Sequence, residues 1–287
     1  MSYYDRKLGE ASSSGLREFR VSPLQYRDWC LGADRKTTQP MRDGTALHMA
    51  LQEPEKFARK YVVVPSVSLN SDAGKQSLIG ECYSYIGQAP HYGSDIPKMK
   101  ADELRERIAG DLSARGVFLV EQKTLDTFRS MVESLNLECH RAARSFVANG
   151  KKEVELRWTD PETGIACKAR LDSWEAERGV LSDIKRTDDI SARDFRRSVL
   201  DRGYHYQNAM YLRALRANGE SSRYSCFVCG QPSPPYHWAV YDIDADDLRE
   251  ADEEISNNLR DLAECLATDI WPTINSGQPT TIRLRNR

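Results

Sequence analysis

The sequence predicts an α/β fold: a mixed central sheet of about five strands, flanked by helices and preceded by extra N-terminal helices. Two observations carry this. Strand-like runs follow one another closely at 153–158, 165–174 and 180–185, and helical periodicity brackets them on both sides. Two further strands, 224–228 and 238–243, precede a last amphipathic helix over roughly 245–267.

Taken in order, residues 1–14 read as a polar tail, and 15–30 as two short helices separated by the start signal Ser22-Pro23. After a polar connector from Gly32 to Pro40, Ala46, Leu47, Ala50 and Leu51 recur at helical spacing, with His48 on that helix; Pro54 opens another. From Val62 to Pro97 the chain is rich in Ser, Gly, Pro and Asn and reads as a surface excursion with one helix near 73–87. A charged helix over 100–109 and a short strand over 117–120 follow. A helix capped by Thr124 then runs, with a break near Asn136, to its stop at Gly150. The strands at 153–158 and 165–174 form a hairpin across Asp160–Gly164, and a turn at Gly179 leads to the third. Helix signals return between Ala192 and Ala217. Residues 15–287 are expected to form one domain: a mainly helical part to 150, a sheet core over 151–245, and a C-terminal helix and tail.

Composition narrows the function classes. The 287 residues are 40% hydrophobic and 29% charged, the balance of a globular protein with a sizeable core. No apolar run of about 18 residues is present, and the N-terminus has no signal pattern, so a cytosolic protein without a membrane partner is expected. The seven cysteines are scattered; Cys226 and Cys229 form a lone C-x-x-C without the second pair that a zinc site wants. The net charge of −2 provides no global positive field, so any nucleic-acid contact must be local. Arg186, Arg193, Arg196, Arg197 and Arg202 form the best cluster, readable as a phosphate track or as a solvated helix face.

The chemistry concentrates in the second and third strands. Asp172 sits near the end of one and Asp183-Ile184-Lys185 ends the next. Antiparallel pairing would bring both carboxylates to one sheet edge. Asp183 and Lys185, two apart, would share a face, while Ile184 turns inward and leaves its carbonyl as a further ligand. Paired carboxylates suit a hard cation such as magnesium, which can polarise a phosphodiester and acidify a bound water. The lysine adds positive charge where the transition state builds negative charge. Strand-end salt bridges would produce the same pattern.

Wider context favours the catalytic reading. Three segments, LREFRVSPLQYRDW with MRDGTALHMALQEPEKF, KKEVELRWTDPETGIACKARLD, and LSDIKRTDDISARDFRRSVLDRGYHYQNAMYL, together resemble the RecE-type (exonuclease VIII) phage and prophage exonucleases of the PD-(D/E)XK superfamily. The D-I-K-x-T and G-Y-H-x-Q-x-x-x-Y motifs are the specific part. The resemblance implies a restriction-endonuclease-like core and assigns roles by position. His48, Asp172, Asp183 and the Ile184 carbonyl would hold one or two magnesium ions, with manganese substituting. Lys185 is the catalytic lysine, and Glu153, with Glu155 as fallback, is the first-strand glutamate. Gln207, Tyr211 and His205 would contact substrate, with Tyr204 in the same motif; from the local basic cluster, Arg186, Arg193 and Arg197 are expected to add substrate contacts. Arg186 departs from the threonine common in relatives. The implied activity is 5′ to 3′ digestion of linear double-stranded DNA from its ends, leaving 3′ single strands for recombination. The implied assembly is a ring-like homo-oligomer, and the implied partner a RecT-type single-strand annealing protein. Two rivals stand: an iron–sulfur nuclease of the CRISPR or AddB-like kind, which needs three clustered C-terminal cysteines, and a non-catalytic DNA-binding module.

Overall fold

The computed structural model describes residues 5–32, 39–65, 67–85, 87 and 99–281. In chain order the elements are β1 (Glu10–Ala11), α1 (Ser13–Val21), α2 (Pro23–Cys30), α3 (Gln39–Gln52), α4 (Pro54–Lys60), β2 (Tyr61–Val63), α5 (Asp72–Ser84), α6 (Ala101–Ser113) and β3 (Phe118–Val120). There follow α7 (Gln122–Leu135), α8 (Arg141–Ala148), β4 (Lys151–Thr159), β5 (Ala166–Glu175), β6 (Val180–Arg186) and α9 (Ala192–Arg202). The chain continues with α10 (Tyr204–Ala217), β7 (Tyr224–Gly230), β8 (Trp238–Tyr241) and α11 (Ala245–Thr268). The described residues fall into two compact units, one drawn from 1–37, 145–229 and 239–287, the other from 38–144 and 230–238.

The first unit is built on a mixed sheet in the order β1-β5-β6-β7-β8, with β4 also paired to β5. Strand β5 is its centre. Along one edge it pairs antiparallel with β4 from Thr159↔Ala166 to Lys151↔Trp174. Along the other, parallel β1 pairs at Ala166 and Cys167, and antiparallel β6 at Ser173, Trp174 and Glu175. The β5–β6 connection turns at Gly179, where φ is +64° and an added Cβ would lie 3.0 Å from Ser221 O, so only glycine suits it.

Helices cover both faces. Leu181 packs with Ala169, Leu171 and Trp174 against Tyr211, Ala214 and Leu215 of α10. Its neighbour Ser182, on the opposite face, donates to Phe146 O of α8 at 3.1 Å. Helices α1, α2 and α11 close a second cluster around Leu16, Phe19, Tyr26, Met210, Ile255 and Leu259. Arg213 of α10 fastens that layer to the hairpin turn, with Asp252 Oδ1 at 2.9 Å and Asp160 Oδ1 at 3.3 Å.

The second unit has its own core, in which Leu78, Cys82 and Tyr83 of α5 meet Leu104, Ile108 and Leu112 of α6. Strands β2 and β3 pair in parallel beside it. Trp238 is anchored here, its indole donating to Met131 O at 3.1 Å and its backbone N–H to His140 Nε2 at 3.3 Å.

Three expectations change. Within the supposed polar tail, Glu10 and Ala11 are a buried strand, because Glu10 pairs with Lys168 at 2.5 Å and Arg157 at 2.7 Å; residues 1–4 lie outside the described residues. Helix α7 begins at Gln122 after Glu121, so Thr124 lies inside it and caps nothing. Tyr61–Val63 pairs as a strand where a surface excursion begins. Parts of the Gly32–Pro40 connector and of the excursion, residues 33–38, 66, 86 and 88–98, lie outside the described residues. All seven cysteines are free, and burial pushes the Cys226 thiol up to about 12 and the Cys229 thiol up as well, so this C-x-x-C consists of neutral core thiols. Among the described residues no helix is long and apolar enough to cross a membrane.

Candidate active site

The antiparallel pairing of β5 with β6 sets Asp172 beside Asp183-Ile184-Lys185, as the alternation of those strands requires. Asp172 Oδ2 accepts from Ile184 N at 2.9 Å, so one carboxylate oxygen ties the two strands together. The Ile184 side chain is 1% exposed, which fixes the strand and holds Asp183 and Lys185 on the other face.

Lys185 is the hub. Its Nζ lies 2.5 Å from Asp183 Oδ2, donates to Gln207 Oε1 at 2.9 Å, and sits 4.3 Å from the centre of the Tyr204 ring. Gln207 in turn donates from Nε2 to Tyr211 Oη at 2.7 Å. Burial by itself would lower the lysine's pKa, but Asp183, then Asp172, outweigh it and the value is raised. Lys185 is therefore an ammonium at neutral pH. The Q-x-x-x-Y pair places Gln207 and Tyr211 one turn apart on α10, so they reach the lysine as a line of hydrogen bonds.

Glu153 completes the carboxylate group. It lies between the register pairs Lys152↔Ser173 and Val154↔Leu171, opposite Asp172, and its backbone is left-handed at φ +54°. That conformation costs a non-glycine residue about 1 kcal/mol or more. The packing changes sides across it: Lys152 reaches carbonyls at the end of α8, whereas Val154 and Leu171 join the cluster against α10. Carboxylate oxygens of Glu153 and Asp172 lie within 4.8 Å of one another. Arg170 Nε meets Glu153 Oε2 at 2.9 Å. Glu155, the fallback, is exposed and stands in register with Arg170. A hard divalent cation fits this donor set of closely spaced carboxylate oxygens.

The other expected residues are placed as follows. His48 lies on α3 of the second unit, half-buried, next to the core residues Ala46 and Leu47. His205 Nδ1 faces Val199 O at 3.3 Å and its ring leans on Tyr206; burial first, offset by the Val199 contact, lowers its pKa. Arg186 is 3.8 Å from Asp188 Oδ1. Arg193, Arg196 and Arg197 are exposed on α9, with Arg197 3.8 Å from Asp194.

Sequence reading passed over Arg170, although it stands two residues before Asp172 on the same strand face, a period-2 signal as plain as that of Asp183 and Lys185.

Comparison with known proteins bears on the fold. A candidate exonuclease from Eubacterium rectale shares the fold at a TM-score of 0.57 and 13% identity, over 99% of this chain and 94% of that one. A phage-related exonuclease from Haemophilus somnus 129PT matches 78% of this chain and 94% of its own at 14% identity, with a TM-score of 0.28, too low to bear on the fold. No curated protein matches the sequence. The model of one family matches residues 12–285, and the expected PD-(D/E)XK core is its signature: the chain belongs to the PDDEXK-like domains of unknown function, DUF3799.

Proposed function

We propose that the chain is a metal-dependent exodeoxyribonuclease that degrades linear double-stranded DNA from its ends. The observation that supports it most is the Lys185 ammonium, held between Asp183 and Gln207 beside the carboxylates of Asp172 and Glu153. A structural salt bridge needs none of that bracing.

Asp172, Asp183, Glu153 and the Ile184 carbonyl would hold magnesium, or manganese in its place; His48 joins them by its match to the family histidine. A bound hard cation supplies a polarised phosphate and a more acidic attacking water. The chain does the rest. Lys185 serves as a positive charge and donor that orients the attacking water. Two of its three N–H groups face Asp183 and Gln207, which leaves one for the attacking water or a phosphate oxygen. Gln207, steadied by Tyr211, keeps the ammonium from collapsing fully onto Asp183. Arg193 and Arg197, exposed on α9, offer phosphate contacts whose strength should fall with salt.

The resemblance to RecE-type exonucleases supports the narrower reading: 5′ to 3′ digestion that leaves 3′ single strands for recombination, a ring-like oligomer, and a RecT-type annealing partner. The test is hydrolysis of end-labelled linear duplex with magnesium, beside a covalently closed circle. The expected outcome is release of mononucleotides or short products from linear DNA alone, lost in Asp172→Ala and restored by neither metal. Linear DNA left intact by the wild-type protein under all divalent metals would sink the enzyme reading.

A further inference from the structure

Lys185 has an aromatic neighbour to which the chemistry above gives no task. The centre of the Tyr204 ring lies 4.3 Å from its Nζ, and that of Phe227 follows at 5.8 Å. The lysine side chain is 13% exposed, and a cation over a ring is attracted most strongly where water is excluded. The Tyr204 hydroxyl is engaged elsewhere, accepting from Arg202 Nη1 at 3.4 Å, so the lysine meets the ring and not the oxygen.

The ring is fixed on several sides. Gly203, in the left-handed region at φ +67°, both closes α9 and opens α10, so Tyr204 enters the second helix with no linker before it. Its ring centre stands 5.9 Å from that of Phe227 and 6.3 Å from that of Phe195, both buried. Tyr204, Gln207 and Tyr211 fall at i, i+3 and i+7, one stripe of α10. That stripe reaches the lysine twice, through a ring and through an amide.

We infer that Tyr204 is a positioning residue for Lys185: its ring face offsets the pull of Asp183 and keeps the ammonium within reach of the scissile phosphate. Asp183 acts from the lysine's own strand, whereas Tyr204 and Gln207 act from α10, so the charge is shared between two elements and not drawn onto the carboxylate alone. A ring face attracts the charge as a whole and needs no N–H aimed at a lone pair, so it adds hold without claiming the donor left for substrate. The meaning of this hold rests on the exonuclease reading, but one of its two tests needs no hydrolysis.

The first test replaces Tyr204 by phenylalanine carrying none, one, two or three ring fluorines, which keeps the shape nearly constant and drains the negative face step by step. On end-labelled linear duplex, kcat should fall with each fluorine, to about tenfold below Tyr204→Phe at the last, with KM nearly unchanged. Tyr204→Leu should lose about tenfold or more, and Tyr204→Phe should recover all but about threefold of that loss. A flat fluorine series overturns the inference, even where Tyr204→Leu fails to fold, because packing alone does not sense the charge of the ring face. The second test labels the ε-carbons of lysine and reads their proton resonances, with Lys185 assigned by its loss in Lys185→Arg. The ring current should displace the Lys185 signal upfield of the other lysines; Tyr204→Phe should keep the displacement and Tyr204→Leu should remove most of it. A Lys185 signal at the ordinary position in the wild-type protein overturns the inference, whatever the protein does to DNA. Inactivity of the wild type on every duplex would instead remove the exonuclease reading and leave the hold on Lys185 to be judged by that resonance.

Discussion

Two lysines sit on the strands that flank β5 in one sheet, and their surroundings drive them in opposite directions. At the β6 end, Lys185 meets two carboxylates, and its pKa is raised although burial opposes this. At the β4 end, Lys152 is pushed down, first by burial; the more distant Glu175 and Asp172 do not compensate. Its Nζ donates instead to Val147 O at 2.6 Å, to Asn149 O and to Ser173 Oγ at 3.0 Å, closing the end of α8. Neutral acceptors fasten a lysine in place; carboxylates keep it charged. Only the second stands among the carboxylates of the candidate site, so the same residue type is a strut at one end and, on the proposed function, reaction machinery at the other.

Exchanging each lysine for methionine is the strongest attempt to break that contrast. Lys185→Met should cut the rate of duplex hydrolysis by about 10³-fold. It also leaves the buried Asp183 without its counter-charge, worth about 3 kcal/mol of stability, so rates must be read well below the variant's midpoint. Lys152→Met should lose about 1–3 kcal/mol in urea unfolding, because two helix-end carbonyls lose a donor, yet hydrolyse within about threefold of wild type. If Lys152→Met proved as inactive as Lys185→Met while still folded, the division into strut and machinery would be wrong.

The Lys185 end was readable in advance and the Lys152 end was not, for a physical reason. Asp183 and Lys185 obey the strand period, Gln207 and Tyr211 the helix period, and both periods are printed in the sequence. The hairpin of β4 and β5 was equally plain from its turn residues. Lys152, by contrast, looks like any strand lysine until α8 ends beside it. Glu10 was invisible because a two-residue parallel strand has no pattern of its own and its partners lie on a hairpin far along the chain. The left-handed backbone at Glu153 is a tertiary outcome that no local preference for glutamate announces.

A smaller effect should separate positioning from charge. Gln207→Leu leaves the carboxylates intact but removes the acceptor 2.9 Å from Lys185 Nζ. The expected loss is about 10-fold to 100-fold in kcat with KM nearly unchanged, since the ammonium stays charged but drifts toward Asp183. Tyr211→Phe, one step further along the line, should cost less than about threefold. A rise in KM with kcat intact would mean that Gln207 grips DNA directly, the role its motif first suggested.

The subtlest consequence is alkaline, and its sign differs at the two ends of the sheet. For Lys152 the folded value lies below the ordinary 10.5, so between the two values the unfolded chain binds more protons and stability climbs with pH. For Lys185 the folded value lies above 10.5; its contribution is fully present below 10.5 and is lost as pH rises through the folded value. Urea unfolding of wild type against each methionine variant, from about pH 8 to about pH 11, isolates the two slopes. The difference between wild type and Lys152→Met should shift in favour of wild type as pH rises toward 10.5. That between wild type and Lys185→Met should stay flat to 10.5 and then shrink. Slopes of the same sign would mean that both lysines answer to burial alone, and the carboxylates would then not be holding the charge on which the catalytic reading of Lys185 depends.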